Sequence, residues 1–179
     1  IGCTDSHFTN PSGLNNNEHY CSAMDMAKIM QYAIKNPVFL QIDATQAYTH
    51  APIIKSPDAN AKENTIYAHH KMMRKSYREY YEGVFAGKTG YTMLAGNTLL
   101  TACKRGDTTL ICAILNGHNS QYRDTKKLFD FGFSQFVSYP VEKNDSRLLA
   151  LESNFNVDDI PLIKTLHFTI GKSDHVCLP

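Results

Sequence analysis

Gly87-Lys88-Thr89-Gly90-Tyr91-Thr92 packs a cation, a hydroxyl and two conformationally free glycines into six residues. How this stretch is read decides the fold. The flanking glycines let a backbone approach a ligand closely, while Lys88 offers a point charge to an anion and Thr89 a hydroxyl beside it. A phosphate-binding loop would need a glycine five residues before the Gly-Lys-Thr, an apolar strand ahead of it and a helix behind it. Glu82 occupies the required position and Gly83 is one step out of register. The approach, Tyr77-Arg78-Glu79-Tyr80-Tyr81, is polar and aromatic, and the residues through Gly96 and Asn97 carry no helical pattern. The stretch therefore reads as a binding edge on a strand. Taken alone, it would also fit an ordinary exposed turn, so its neighbours decide.

Downstream, Thr98-Leu99-Leu100-Thr101-Ala102-Cys103 and Thr108-Thr109-Leu110-Ile111-Cys112-Ala113-Ile114-Leu115 flank Lys104-Arg105-Gly106-Asp107 and predict an antiparallel hairpin. The second strand is almost continuously apolar, which calls for helices on both faces of the sheet. One is expected from about Ser120 to Phe131, with Leu128 and Phe129 inward and Gly132 as its C-terminal stop. Upstream, residues 4–19 are dense in Asn, Pro, Gly and Ser and predict a long loop. Ser22, three residues before Asp25, resembles a capping box, and Ala23, Met26, Ala27, Met30, Ala33 and Ile34 recur at helical spacing up to a stop at Asn36-Pro37. Met24, Met26 and Met30 are expected to pack in the core. Residues 37–62 give mixed signals and no assignment. Past Pro140, the polar run Val141-Glu142-Lys143-Asn144-Asp145-Ser146 predicts a domain boundary, dividing the chain into 1–140 and a β-prone 141–179.

Composition narrows the function classes. The 179 residues are 42% hydrophobic, enough for a sizeable core. Eighteen basic and seventeen acidic residues leave a formal charge of +1, which gives no electrostatic case for nucleic acid. No apolar run approaches the ~20 residues of a membrane span. Ile1-Gly2-Cys3-Thr4-Asp5 has neither an initiator methionine nor a signal-like segment, so an internal part of a longer polypeptide is expected. Five cysteines without Cys-x-x-Cys spacing argue for free thiols over a zinc site or a disulfide framework. His69-His70 would diverge on either a strand or a helix. No metal and no cofactor is expected.

With loop, helix, Lys-Thr-Gly strand, hairpin and closing helix in this order, the chain resembles the low-molecular-mass penicillin-binding proteins that are serine-type D-alanyl-D-alanine carboxypeptidases. Thr9-Asn10-Pro11-Ser12-Gly13-Leu14 is similar to that family's Asn-Pro-x-Gly-Leu loop. His19-Tyr20-Cys21-Ser22-Ala23-Met24-Asp25-Met26-Ala27 is similar to its Tyr-Ser-Thr-Ala-x-Asp-Met-Ala helix start. Gly87-Lys88-Thr89-Gly90-Tyr91-Thr92, Ala95-Gly96-Asn97 and Asp130-Phe131-Gly132-Phe133 extend the likeness to about residue 136. Ala68-His69-His70-Lys71-Met72-Met73 departs from the family's Asn-x-Asn-x-Leu-Leu-like segment. The Ser-x-x-Lys and Ser-x-Asn elements, which in the family precede the Asn-Pro loop, are absent: Ser6, Ser12, Ser22 and Ser76 have no lysine three residues on.

The resemblance implies an α+β fold, an antiparallel sheet covered by helices as in the penicillin-binding protein and β-lactamase-like transpeptidases, followed by the start of a small β-rich domain. It implies acyl transfer through a serine acyl-enzyme on peptidoglycan stem peptides ending in D-Ala-D-Ala, with β-lactam antibiotics as further ligands and an extracytoplasmic, cell-wall location. It also implies that Lys88 organises the electrostatic field around the serine, that Thr89 and Gly90 bind the substrate, and that the Tyr91 N–H is an oxyanion donor. Arg123 is a candidate second contact to the substrate carboxylate, with a solvated helix-start arginine as the other reading. A serine β-lactamase-like hydrolase and a non-catalytic wall-binding homologue are the competing functions. Membrane association of the parent would require a segment outside this sequence.

Overall fold

The computed structural model describes residues 1–51, 63–142 and 165–171. Two helices, α1 (Ala23–Ala33) and α2 (Pro37–Asp43), precede a short antiparallel pair, β1 (Ala47–His50) and β2 (Asn64–Tyr67). Ser22 caps α1, its side chain accepting from the Asp25 N–H at 3.1 Å. Only half of the expected capping box forms. Asp25 does not reach back to Ser22; its Oδ2 accepts from Asp5 N–H and from Ser6 Oγ, both at 2.8 Å, and Ser6 Oγ accepts from Ser22 N–H at 3.2 Å. The fully buried carboxylate thus moors the N-terminal loop to the helix, with Lys28 Nζ 3.6 Å from Oδ1.

Burial alone would push the Asp25 carboxyl up, but the bonds from Ser6 and Asp5 and the Lys28 charge hold it below the ordinary range. A carboxyl lowered in the folded state stabilises above its unfolded value and loses that contribution as pH falls through the folded one. Thermal stability should therefore decline on acidification below about pH 4, and Asp25→Asn should flatten the decline. Melting curves across pH 2–7 for both proteins check this; parallel curves would refute it.

Asn36-Pro37 ends one helix and begins another, which is why residues 37–43 escaped assignment from sequence. Asn36 Oδ1 accepts from the Val38 and Phe39 N–H groups at 2.9 and 3.2 Å. Proline in the first turn costs nothing there, because that N–H would have no helical partner. Of the three methionines expected in the core, Met30 is 3% exposed, whereas Met24 is 65% exposed and faces solvent.

The central sheet comprises β3 (Val84–Thr92), β4 (Gly96–Arg105) and β5 (Thr108–Ile114), antiparallel throughout and in the order β3-β4-β5. Gly106, at φ +56, supplies the left-handed residue that the tight β4–β5 turn needs. Alternation divides the sheet into two faces. Leu99, Cys103 and Cys112 pack beneath Phe129 of α3 (Gln121–Gln135), with Leu110 and Ile114. On the opposite face, Ala86, Ala102, Leu100 and Ile111 pack against Met30 and Ile34 of the α1 segment. The near-continuous apolar character of β5 thus reflects a helix on each side, as expected.

The structure corrects two details of α3. Leu128 is 49% exposed, with Phe129 alone of that pair in the core at 1%. Gly132 is no stop, because the helix continues to Gln135; a Cβ there would lie 2.7 Å from Leu110 Cδ1, so the glycine allows helix and strand to approach closely. Among the described residues the fold is a mixed α and β arrangement whose strands form three antiparallel groups. The third pairs β6 (Phe136–Glu142) with β7 (Thr165–Gly171), Pro140 lying opposite His167. The strand thus runs through the Pro140 position, and residues 143–146 of the polar run lie outside the described residues.

Candidate functional site

β3 is an edge strand among the described residues, and the order of groups along its open edge follows from pairing. In an antiparallel strand, the N–H and C=O of one residue point the same way and alternate from residue to residue. The Gly87 N–H points away from β4, donating to Asp43 Oδ2 at 2.6 Å. By alternation, the backbone groups of Thr89 and Tyr91 share that open edge, while Lys88 and Gly90 turn theirs to β4. Consistently, Lys88 Nζ folds onto the Thr89 carbonyl at 2.6 Å and brings its charge to the edge. Asp43 sits at the end of α2, its carboxyl raised by burial against the opposing pull of the Gly87 N–H and the Lys88 charge.

Gly87 is buried, and a Cβ on it would meet the Leu100 carbonyl oxygen and His70 Nε2, each at 2.5 Å. The first glycine of the motif is thus required by packing. His70, 3% exposed, bonds through Nε2 to Thr101 Oγ1 at 2.9 Å. Burial lowers its pKa to about 4, backbone bonds opposing the shift and the Lys88 charge adding to it, so the ring is neutral at physiological pH.

Asn10 organises the loop opposite. Its Oδ1 accepts from Ser12 Oγ, Gly13 N–H and Leu14 N–H at 2.9, 2.9 and 3.2 Å, and its Nδ2 donates to the Leu14 carbonyl at 3.1 Å. Gly13, at φ +75, makes the turn possible. The Thr9 N–H donates to His19 Nδ1 at 3.1 Å, tying the loop to the approach to α1.

A cleft of about 1210 Å³ joins these parts: Asn10, Pro11, Ser12 and Gly13 line it together with Lys88, Thr89, Gly90, Tyr91 and Thr92. Asn97, Asn119 and Tyr122 contribute further along, with Asn97 Nδ2 donating to Asn119 Oδ1 at 3.0 Å. Tyr91 projects into solvent at 68% exposure. Arg123 does not line the cleft. It lies in the first turn of α3, next to Tyr122, with Nε donating to Asp124 Oδ1 at 3.2 Å and its side chain 70% exposed. His70, Asp43 and Asn119 were not singled out from sequence; the one available signal was the His69-His70 pair, of which only the second member is buried.

A helix-covered antiparallel sheet whose edge strand carries Lys-Thr-Gly beside an Asn-Pro-Ser-Gly loop defines a partial penicillin-binding, DD-transpeptidase-like fold. The chain belongs to the D-alanyl-D-alanine carboxypeptidase family, peptidase S11, whose pattern matches residues 1–119. It is 31% identical over 141 residues to the D-alanyl-D-alanine carboxypeptidase DacB2 of Mycobacterium tuberculosis, covering 75% of this chain and 44% of that protein. It is 27% identical over 147 residues to DacF of Bacillus subtilis, covering 81% and 35%. The Streptomyces K15 DD-transpeptidase superposes with a TM-score of 0.63 at 27% identity, over 74% of this chain and 49% of that one. A crystal structure of the D-alanyl-D-alanine carboxypeptidase of M. tuberculosis H37Rv gives 0.61 at 31%, over 74% and 48%. The chain thus spans less than half the length of these relatives. No helix among the described residues is long and apolar enough to cross a membrane.

Proposed function

We propose that residues 1–140 form the Lys-Thr-Gly wall of the acyl-transfer site in a serine-type D-alanyl-D-alanine carboxypeptidase that acts on peptidoglycan stem peptides and is acylated by β-lactams outside the cytoplasm. One observation carries this reading: a single cleft is lined by both the Asn10-Pro11-Ser12-Gly13 loop and the Lys88–Thr92 edge. In the reaction, a serine hydroxyl contributed by another part of the protein attacks the penultimate D-alanine carbonyl. The tetrahedral adduct expels the terminal D-alanine, whose amine takes up a proton, and water then cleaves the resulting ester. The Tyr91 N–H, on the open edge of β3, suits an oxyanion forming alongside it. The Lys88 ammonium, held at the same edge, favours negative charge developing there. Thr89 presents a hydroxyl to the substrate carboxylate, and Gly90, which lines the same cleft, has no room for a side chain because a Cβ would lie 2.5 Å from Thr98 Oγ1. Arg123, exposed and one residue beyond a cleft-lining tyrosine, is the candidate second carboxylate contact, its planar fork being free to exchange Asp124 for a substrate carboxylate.

Thr89→Val removes the hydroxyl and leaves the charge. In the full-length protein it should raise KM for a D-Ala-D-Ala peptide by about tenfold or more while kcat changes little, a hydrogen bond to a charged group being worth about 1.5–3 kcal/mol. Steady-state kinetics decides this, and an unchanged KM would remove Thr89 from the site. Residues 141–179 are proposed to begin a separate β-rich module.

A further inference from the structure

The acyl-transfer scheme makes no use of His70, yet it is buried where His7, His19, His50, His69 and His118 are not. Its ring fills the space left by the absent Gly87 side chain, with Nε2 and Cδ2 lying 2.5 and 2.6 Å from where a Cβ would be. Nε2 is anchored to Thr101, the residue paired with Gly87 across β3 and β4. Nδ1 has no partner at hydrogen-bond geometry, so apart from the backbone of Leu100 and of His70 itself, Thr101 is the side chain that anchors the ring. The other side of the imidazole meets Tyr122 edge-on, with centroids 6.2 Å apart and planes at 87°. Gly87 precedes Thr89 by two residues and so shares its face of the strand, and Tyr122 immediately precedes Arg123. The imidazole is therefore wedged between the strand bearing one proposed carboxylate contact and the helix start bearing the other.

We infer that His70 is a positioning residue that sets the separation between Thr89 and the first turn of α3, and through it the capture of the substrate's terminal carboxylate. This rests on the carboxypeptidase reading above. A ring without nitrogen keeps the bulk of the wedge but frees it from Thr101 and leaves that buried hydroxyl unpaired. A glutamine side chain can return an amide nitrogen to Thr101.

The test uses the full-length protein and an acetylated peptide ending in D-Ala-D-Ala. His70→Phe should raise KM about tenfold with kcat within about twofold of the parent, and His70→Gln should restore most of the affinity. Thr101→Val, which removes the anchor while leaving the imidazole, should reproduce the His70→Phe effect; it decides the matter alone if His70→Phe does not fold. A residue that merely supported the fold would lower the active fraction and hence kcat, leaving KM unchanged. A parental KM in folded His70→Phe or Thr101→Val, or a loss confined to kcat, overturns the inference. Amide hydrogen exchange at Thr89 and Tyr91, measured without substrate, separates the two levels of failure. A parent that never turns over the peptide refutes the proposed function, whereas unchanged exchange in the variants refutes the role of His70.

Discussion

In the full-length protein, Lys88→Ala is expected to slow acylation by both a D-Ala-D-Ala peptide and a penicillin by on the order of a hundredfold or more. The ammonium lies on the open edge of β3, bonded to the Thr89 carbonyl beside the backbone groups of Tyr91. A cation there can stabilise charge that develops only as the tetrahedral adduct forms, so its loss falls on the chemical step. Removing one such group costs roughly 3–4 kcal/mol when the site is closed to water, and ~1.4 kcal/mol corresponds to tenfold in rate. The side chain is exposed and makes no core contact, so the variant should melt at the parental temperature. The second-order acylation constant, measured alongside that melt, is the relevant quantity. A folded variant acylating at the parental rate would reduce Gly87-Lys88-Thr89-Gly90 to a turn.

The second large effect is all or none: residues 1–179 by themselves should form no covalent penicillin adduct and release no D-alanine. The sequence has no Ser-x-x-Lys and no Ser-x-Asn, so on the proposed reading residues 1–179 carry the proposed oxyanion and carboxylate contacts but not the motifs of the nucleophile. Ser12 lines the cleft, but its hydroxyl donates to Asn10 Oδ1 within the loop and no lysine stands three residues on. Denaturing electrophoresis after incubation with a fluorescent penicillin reads the outcome, and a stoichiometric, denaturation-resistant label would overturn it. Phe8, Leu14, Val38 and Ile42 are all more than half exposed, so the isolated chain is also expected to aggregate readily.

Where the sequence carried a strong local constraint, expectation and structure agree. The β4–β5 hairpin, the α1 cap and the helices on both faces of β5 follow from turn chemistry, side-chain capping and an uninterrupted apolar run, each settled within a few residues of chain. Sequence reading failed where one signal served two elements or where a partner lay far away. Asn36-Pro37 both stops α1 and starts α2. Gly132 has the composition of a helix stop, but it is buried inside α3 because Leu110, on a distant strand, needs the space. Leu128, beside the buried Phe129, and Met24, apolar but off the Ala23-Met26-Ala27-Met30 spacing, face solvent, since which flank of a stripe is covered depends on the neighbouring element.

For the site, the sequence by itself determined the chemical inventory: a cation and a hydroxyl between glycines on a strand, an Asn-Pro-Ser-Gly loop, and the family to which both belong. Those properties reside in residue types and local spacing. Tertiary structure alone decided that the loop and the strand line one cleft, that Arg123 starts outside it, that Asp43 takes the Gly87 N–H, and that His70 is neutral and wedged between β3 and Tyr122. The His70–Thr101 bond spans 31 positions of sequence and the Asp43–Gly87 bond 44. Burial and proximity of that kind arise only when the sheet closes, and no periodicity along the chain encodes them.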